Sequence, residues 1–285
     1  MRLLSVLVAL QVFTIQLLSQ VYEGKVYVGT EPTKKQKLEW NKEIAGKIKA
    51  TTTLVALDGE SPEIMQSFIE AMSMFWTKTD YKFIKTSEVN KFISNPQYSL
   101  IIPLNTSYAS SDKVLGHFMV FILGNSRYKD LQDLEWQMDI KLPSKKVNNK
   151  EVLLDYTYLT SFIVRRFDKE LTDWENGVLE QSQEIYKLEK EGLEEINKKT
   201  IFICKNDLPS DFDYDTFQKK IKKNLKNADQ KAKIVSPEEI KKAIDTKDET
   251  VVVVDLFLST TRRKGGYGNG YSAATMKFLG GVSSY

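Results

Sequence analysis

Histidine and cysteine are nearly missing from this chain of 285 residues, which holds only His117 and Cys204. A single cysteine has no intrachain disulfide partner, and one of each cannot assemble a Cys/His metal centre. Any Ser-His-Asp hydrolase built on this chain would have to use His117, and any Cys-His enzyme would need both residues. Neither a GxxxxGK[ST] phosphate loop nor a G-x-S-x-G nucleophile elbow occurs. An excess of one charge is lacking too. The 41 basic residues face 38 acidic ones, for a formal charge of +3, so no overall field selects a polyanion and no nucleic acid is expected as a partner. Beyond the N-terminus, no run approaches the roughly 18 apolar residues of a membrane span.

What remains is an ordinary globular composition, 41% hydrophobic and 28% charged, with enough apolar side chains to build a core. The segment Met1–Gln20 stands apart. Arg2 gives it a short positive end, Leu3 to Leu18 are almost wholly apolar, and Ser19 and Gln20 close it before the chain turns polar. That order is the pattern of a secretory signal peptide, with cleavage expected near Ser19 or Gln20. The apolar core is short for a spanning helix, so an uncleaved anchor is the second reading. A secreted or periplasmic protein is therefore expected, and membrane contact only through an uncleaved N-terminal helix.

Internal similarity then sets the expected organisation. In the first half, Thr53–Leu57 reads as a buried strand. Ser61 is an N-cap with Pro62 at the first helical position of a helix to about Trp76, since Ser oxygens satisfy free N–H groups and Pro needs none. Tyr81–Lys85 is a strand, Thr86 to Ser94 a short helix, and Tyr98–Asn105 and Gly116–Leu123 two further strands. In the second half, Thr200–Cys204 is a strand, about Asp215 to Asn227 a helix, and Ala232–Val235 a strand. Ser236 to Ile244 is a helix with a Ser236/Glu239 capping box, Thr250–Leu258 is a strand, and Tyr271–Leu279 a fourth. Tyr81–Ile93 aligns without a gap on Ala232–Ile244, matching Phe83 with Ile234, Glu88 with Glu239 and Ile93 with Ile244. The expected fold is α/β, with two similar β-α-β-α-β-β halves and mixed sheets, an internal repeat over about 33–125 and 180–285. The expected division is a signal peptide at 1–20, a first half at 21–150, a helical connector at 151–198 and a second half at 199–285. Within the connector, apolar residues from Phe167 through Leu171, Trp174 and Val178 recur at three or four. They mark a helical stripe with a break at Asn176-Gly177.

Candidate sites follow from the tendency of open α/β sheets to bind ligands beyond the carboxyl ends of their strands. The first β-to-α turn of each half carries Asp58, Glu60, Asn206 and Asp207. Carboxylates there can hold a cation or act as acid and base, or can serve only the positive helix terminus, with Gly59 easing a tight turn. Asp211, Asp213 and Asp215 fail the EF-hand pattern, because Thr216 stands where Gly and Lys222 where Glu are required. Gly268-x-Gly270-x-x-Ala273 lacks the strand directly before it that a dinucleotide fingerprint needs, and Lys264–Gly270 reads as a loop. No cofactor and no metal site is therefore expected. Cys204 reads as an inert core thiol and His117 as a structural histidine. Lysines from Lys219 to Lys233 cover the outer face of an amphipathic helix whose buried stripe is Phe217, Ile221 and Leu225.

No convincing catalytic constellation emerges. The leading expectation is an exported, non-enzymatic binding or scaffolding protein of the cell envelope that recognises a protein or a glycan. Its rival is a secreted hydrolase using the carboxylates of the two turns.

Overall fold

The structure, a computed structural model, describes residues 21–22, 25–26, 33–107, 114–131, 133–147, 150–178, 198–208, 215, 219, 232–258, 266–272 and 278–284. The expected signal peptide, the helix around 215–227 with its lysine face, the acidic run at 211–215 and the rest of the connector beyond 178 lie largely or wholly outside them. A two-residue antiparallel ladder pairs Val21–Tyr22 with Lys25–Val26.

Cap chemistry fixes where the helices start. Helix α1 (Lys34–Lys49) begins in a capping box of Thr33 and Gln36, and α2 (Pro62–Phe75) begins at Ser61, whose oxygen accepts from Ile64 N. Both bury one stripe, Asn41, Ile44, Ala45 and Ile48 in α1 and Ile64, Phe68, Ala71 and Met72 in α2, at the three-and-four spacing that keeps side chains on one helix face. Strand β1 (Thr52–Ala56) lies between them. Next come β2 (Tyr81–Ile84), a 3₁₀ turn at Thr86–Glu88 leading into the short α3 (Val89–Phe92), β3 (Tyr98–Ser107), β4 (Val114–Leu123) and β5 (Met138–Lys141). These strands form one sheet in the order β2-β1-β3-β4-β5. The first three are parallel and β4 and β5 antiparallel, with Val55 paired to both Phe83 and Ile101.

A hairpin of β6 (Ser144–Val147) and β7 (Lys150–Leu153) leads to helix α4 (Thr160–Glu175). The second sheet holds β8 (Thr200–Cys204), β9 (Ala232–Val235), β10 (Val251–Leu258), β11 (Gly266–Ser272) and β12 (Phe278–Ser284), with helix α5 (Pro237–Asp245) between β9 and β10. Its order is β9-β8-β10-β11-β12, again with three parallel strands followed by two antiparallel ones. The protein is thus a mixed α/β fold with two five-stranded sheets.

Three expectations change. Gly266–Gly270 is not loop but part of strand β11, paired residue by residue with Gly270 opposite Val254 and Gly266 opposite Leu258. A ladder uses only backbone groups, so glycines can fill it although their propensity argues against a strand. The last strand is consequently Phe278–Ser284 rather than Tyr271–Leu279. Each sheet also has a fifth strand, β5 and β12, and the β6–β7 hairpin is additional. The connector helix packs as well as joins. At its start Thr160 through Arg165 are all buried, enclosed on every side, while farther on Arg166, Asp168, Lys169 and Glu170 are half-buried; α4 packs against α1, α2 and α5.

One continuous apolar cluster joins both halves through α4. It runs from Val55, Ile101 and Phe121 of the first sheet through Phe162 and Phe167 to Cys204, Val235, Ile240 and Val253. The other face of the first sheet, with Leu54, Leu100, Ile102 and Ile122, is covered by Val89, Ile93 and Tyr128. Burial on both faces is why these strands read as unbroken apolar runs. At the junction Arg165 donates to the Ile244 carbonyl at the end of α5 and stands 5.3 Å over the Phe75 ring of α2. Cys204 and its neighbours agree with a core role for the thiol, since it is buried in this cluster.

Helices α4 and α5 end in the same way. Gly177 has φ +67°, Val178 N donates to Asp173 O and Gly177 N to Trp174 O, a Schellman pattern where the sequence places a break at Asn176-Gly177. In α5 the equivalent position is Lys247, a non-glycine residue at φ +54°, with Asp248 N on Ala243 O. A Cβ in that region is strained. Lys247→Gly is therefore expected to stabilise the protein by about 0.5–1 kcal/mol, less the contact of its ammonium 5.9 Å from the Phe75 ring. Chemical denaturation read by circular dichroism checks this.

Candidate functional site

In both sheets the chain leaves the first strand to one side and later returns on the other, so β1/β3 and β8/β10 are topological switch points. Crevices at such points are where open α/β sheets bind ligands. The turn after β1 is tight, with Glu60 N donating to Leu57 O at 2.9 Å. Gly59 is not required there, because its φ is not positive and open space surrounds the position of an added Cβ.

Asp58 is committed to the fold. One of its carboxylate oxygens accepts both the backbone N–H and the hydroxyl of Thr86, tying the turn after β1 to the 3₁₀ turn after β2. The Thr86 hydroxyl first, then its N–H, holds the Asp58 carboxyl below its ordinary value. A carboxylate kept charged this way is a poor general acid. Its stabilising effect is full above the ordinary aspartate value of 3.8 and is lost as pH falls below it through the lowered folded value. Comparing unfolding midpoints of Asp58→Asn and the parent across pH tests this. The parent is expected to be the more stable at neutral pH, with the gap closing in acid.

Asn206 and Asp207 belong to a 3₁₀ turn, Lys205–Asp207, after β8 in the other sheet, where Leu208 N reaches Lys205 O. Asn206 is exposed. Asp58 and Glu60 thus follow β1 of the first sheet, and Asn206 and Asp207 follow β8 of the second. His117 lies on β4 opposite Asn105; its carbonyl accepts from Leu142 N at 2.8 Å.

Glu60 leads elsewhere, to residues that the sequence reading passed over. Helices α2 and α5 both open with Ser-Pro-Glu, at Ser61-Pro62-Glu63 and Ser236-Pro237-Glu238. Both pack against the 3₁₀ turn Thr157–Leu159 that precedes α4. Ser67 of α2 fastens that turn, with its hydroxyl 2.6 Å from the Thr160 hydroxyl and 3.2 Å from the Thr157 carbonyl. Asp155 caps the turn, accepting from Thr157 N at 2.9 Å and its hydroxyl at 2.6 Å. Asp155 is exposed, and its charge is the smallest of the influences on Glu63 and on Glu238.

Tyr156 is fully buried at this junction, and its hydroxyl lacks a hydrogen-bond partner. Burial pushes the phenol strongly up, and the negative charges of Glu60 and Asp155 add to the effect, so it stays neutral. Glu63 is held below its ordinary value by its own backbone N–H and by Ser61, and Glu238 by Ser236 and its own backbone N–H. Glu63, Asp155 and Glu238 are exposed and Glu60 half-buried. The repeated Ser-Pro-Glu was the available sequence signal. Locally it marks two separate helix starts, and only the fold brings both helices onto the turn Thr157–Leu159.

Comparison of the chain with protein-family models, curated proteins and solved structures finds no match.

Proposed function

We propose that the protein is an exported binding or scaffolding protein of the cell envelope whose recognition surface lies where α2, α5 and the turn before α4 meet. The observation that carries this reading is the composite character of that surface. Glu60 and Glu63 come from the first half, Asp155 from the connector and Glu238 from the second half; the last three are exposed and Glu60 is half-buried. Asp58, which a hydrolase at the β1 turn would use first, is occupied by Thr86. That weighs against the enzymatic rival. Export is supported by the pattern of Met1–Gln20.

We also read the chain as two copies of one β-α-β-α-β-β unit, one at 21–150 and one at 199–285, joined by the connector at 151–198. The shared strand order and sense of the two sheets support it.

Affinity capture from envelope extracts tests the binding role. A partner retained reproducibly by the parent chain is expected, and a monodisperse protein that captures nothing, in repeated trials, contradicts it. Mass spectrometry of the mature N-terminus tests export: loss of about 20 residues is expected, and an intact Met1 removes the cleaved-signal reading.

A further inference from the structure

We propose that the free edge of β12 is a dimerisation surface, on which a second copy of this chain adds its own β12 in antiparallel pairing. The two five-stranded sheets present four edges, β2 and β5 in the first and β9 and β12 in the second. An edge strand offers a row of unpaired N–H and C=O groups, and folded proteins ordinarily blunt it with shortness, charge or proline. Three of the edges are blunted in this way. Strands β2, β5 and β9 are four residues each, and they carry Lys82, Asp139 with Lys141, and Lys233. Lys82, Asp139 and Lys233 are exposed. Strand β12 is seven residues, Phe278-Leu-Gly-Gly-Val-Ser-Ser284, with no charge and no proline.

The ladder that holds β12 keeps most of it regular. One register shift falls near its start, between the pairs Gly270–Gly280 and Tyr271–Phe278, and Gly280–Ser284 then run opposite Gly270–Gly266 without interruption. Among the described residues β12 pairs with β11 alone, so at alternate residues of this stretch both backbone groups face away from the sheet. What fits there is another extended backbone, and a second copy is the occupant that the edge itself specifies. Two β12 strands related by a twofold axis perpendicular to the sheet run antiparallel. That continues the antiparallel sense of β10, β11 and β12, and each strand supplies the donors and acceptors that the other needs. A strand that meets its own copy also brings like charges together, which destabilises the pair; β12 has none to bring. The product is one sheet of ten strands, five from each copy. Both β12 edges are consumed in it, so assembly closes at the dimer. This inference goes beyond the recognition surface at α2 and α5 and does not depend on it.

Size-exclusion chromatography with light scattering, on the full chain loaded at about 1–100 μM, tests the pairing. A mass rising to twice that of the chain is expected. Ser283→Lys and Ser283→Glu should each weaken the dimer by about 10-fold, because the twofold axis sets the new charge within reach of its own copy. An equimolar mixture of the two variants should restore it, since opposite charges then meet across the axis. Lys82→Ser, on the β2 edge, should leave it unchanged. A parent that stays monomeric throughout overturns the proposal, and so does a dimer that both Ser283 variants keep unaltered. A mixture as monomeric as its two components also overturns it, because the substitutions would then act through the fold rather than across an interface. Species that keep growing with concentration contradict closure at the dimer. Hydrogen exchange identifies the other occupant: a monomeric parent whose β12 amides gain protection only in complex with a captured protein assigns the edge to a foreign strand and removes self-pairing.

Discussion

Phe121→Ala should lower stability by about 3–5 kcal/mol, the range for truncating a fully buried phenylalanine. Phe121 sits on β4 with no exposure, its ring 5.9 Å from that of Trp76 and 5.8 Å from that of Phe167. Those neighbours belong to the chain just after α2 and to α4, so the cavity opens where the sheet meets the central helix. Both are anchored in other ways. Trp76 donates to Thr79 at 3.1 Å, and Phe167 lies on a helix packed on several sides. Collapse into the hole is therefore restricted, which places the variant toward the upper part of that range. Urea denaturation read by tryptophan fluorescence measures it. A loss under about 1 kcal/mol would mean that the three rings do not share one packed core.

Gly124→Ala is the second large effect, and it arises from backbone rather than from side chains. A Cβ at Gly124 would stand 2.2 Å from the Asn95 carbonyl oxygen and 2.9 Å from that of Tyr98. Neither atom can swing away as a side chain does, and Gly124 N also donates to Tyr98 O at 2.9 Å. The close approach ties the end of β4 to the start of β3. Overpacking of this kind costs about 1–3 kcal/mol and sometimes more, and the upper end is expected because two backbone segments must part. Gly46 is the internal comparison. It lies within α1 with nothing near its missing Cβ, so Gly46→Ala should stabilise by about 0.5–1 kcal/mol. Equal effects at the two glycines would contradict the close approach.

The helix starts at Ser61-Pro62 and Ser236-Pro237 were legible, because capping is settled within four residues. The strands of the first sheet were legible too, since their apolar runs are long and bounded. Strand order was not, because the pairing of Val55 with both Phe83 and Ile101 is decided by contacts distant in sequence. The glycine strand β11 was hidden for a different reason: its ladder is made by backbone groups that every sequence possesses. The same divide runs through the site. Asp58 stood out as a carboxylate at a switch point, yet its use depends on Thr86, which only the parallel pairing of β1 with β2 brings near. Tyr156 drew no notice in a stretch read for its apolar spacing. Its setting depends on Glu60, far before it in sequence, and on the adjacent Asp155.

The whole account depends on both sheets sharing one core through α4. Hydrogen-exchange mass spectrometry of the full chain across a denaturant series tests that directly. Amides of Leu54–Leu57 in the first half and Ile201–Cys204 in the second should lose protection at the same denaturant concentration, as parts of one cooperative unit. Separate transitions, with one strand group exchanging freely while the other stays protected, would contradict it.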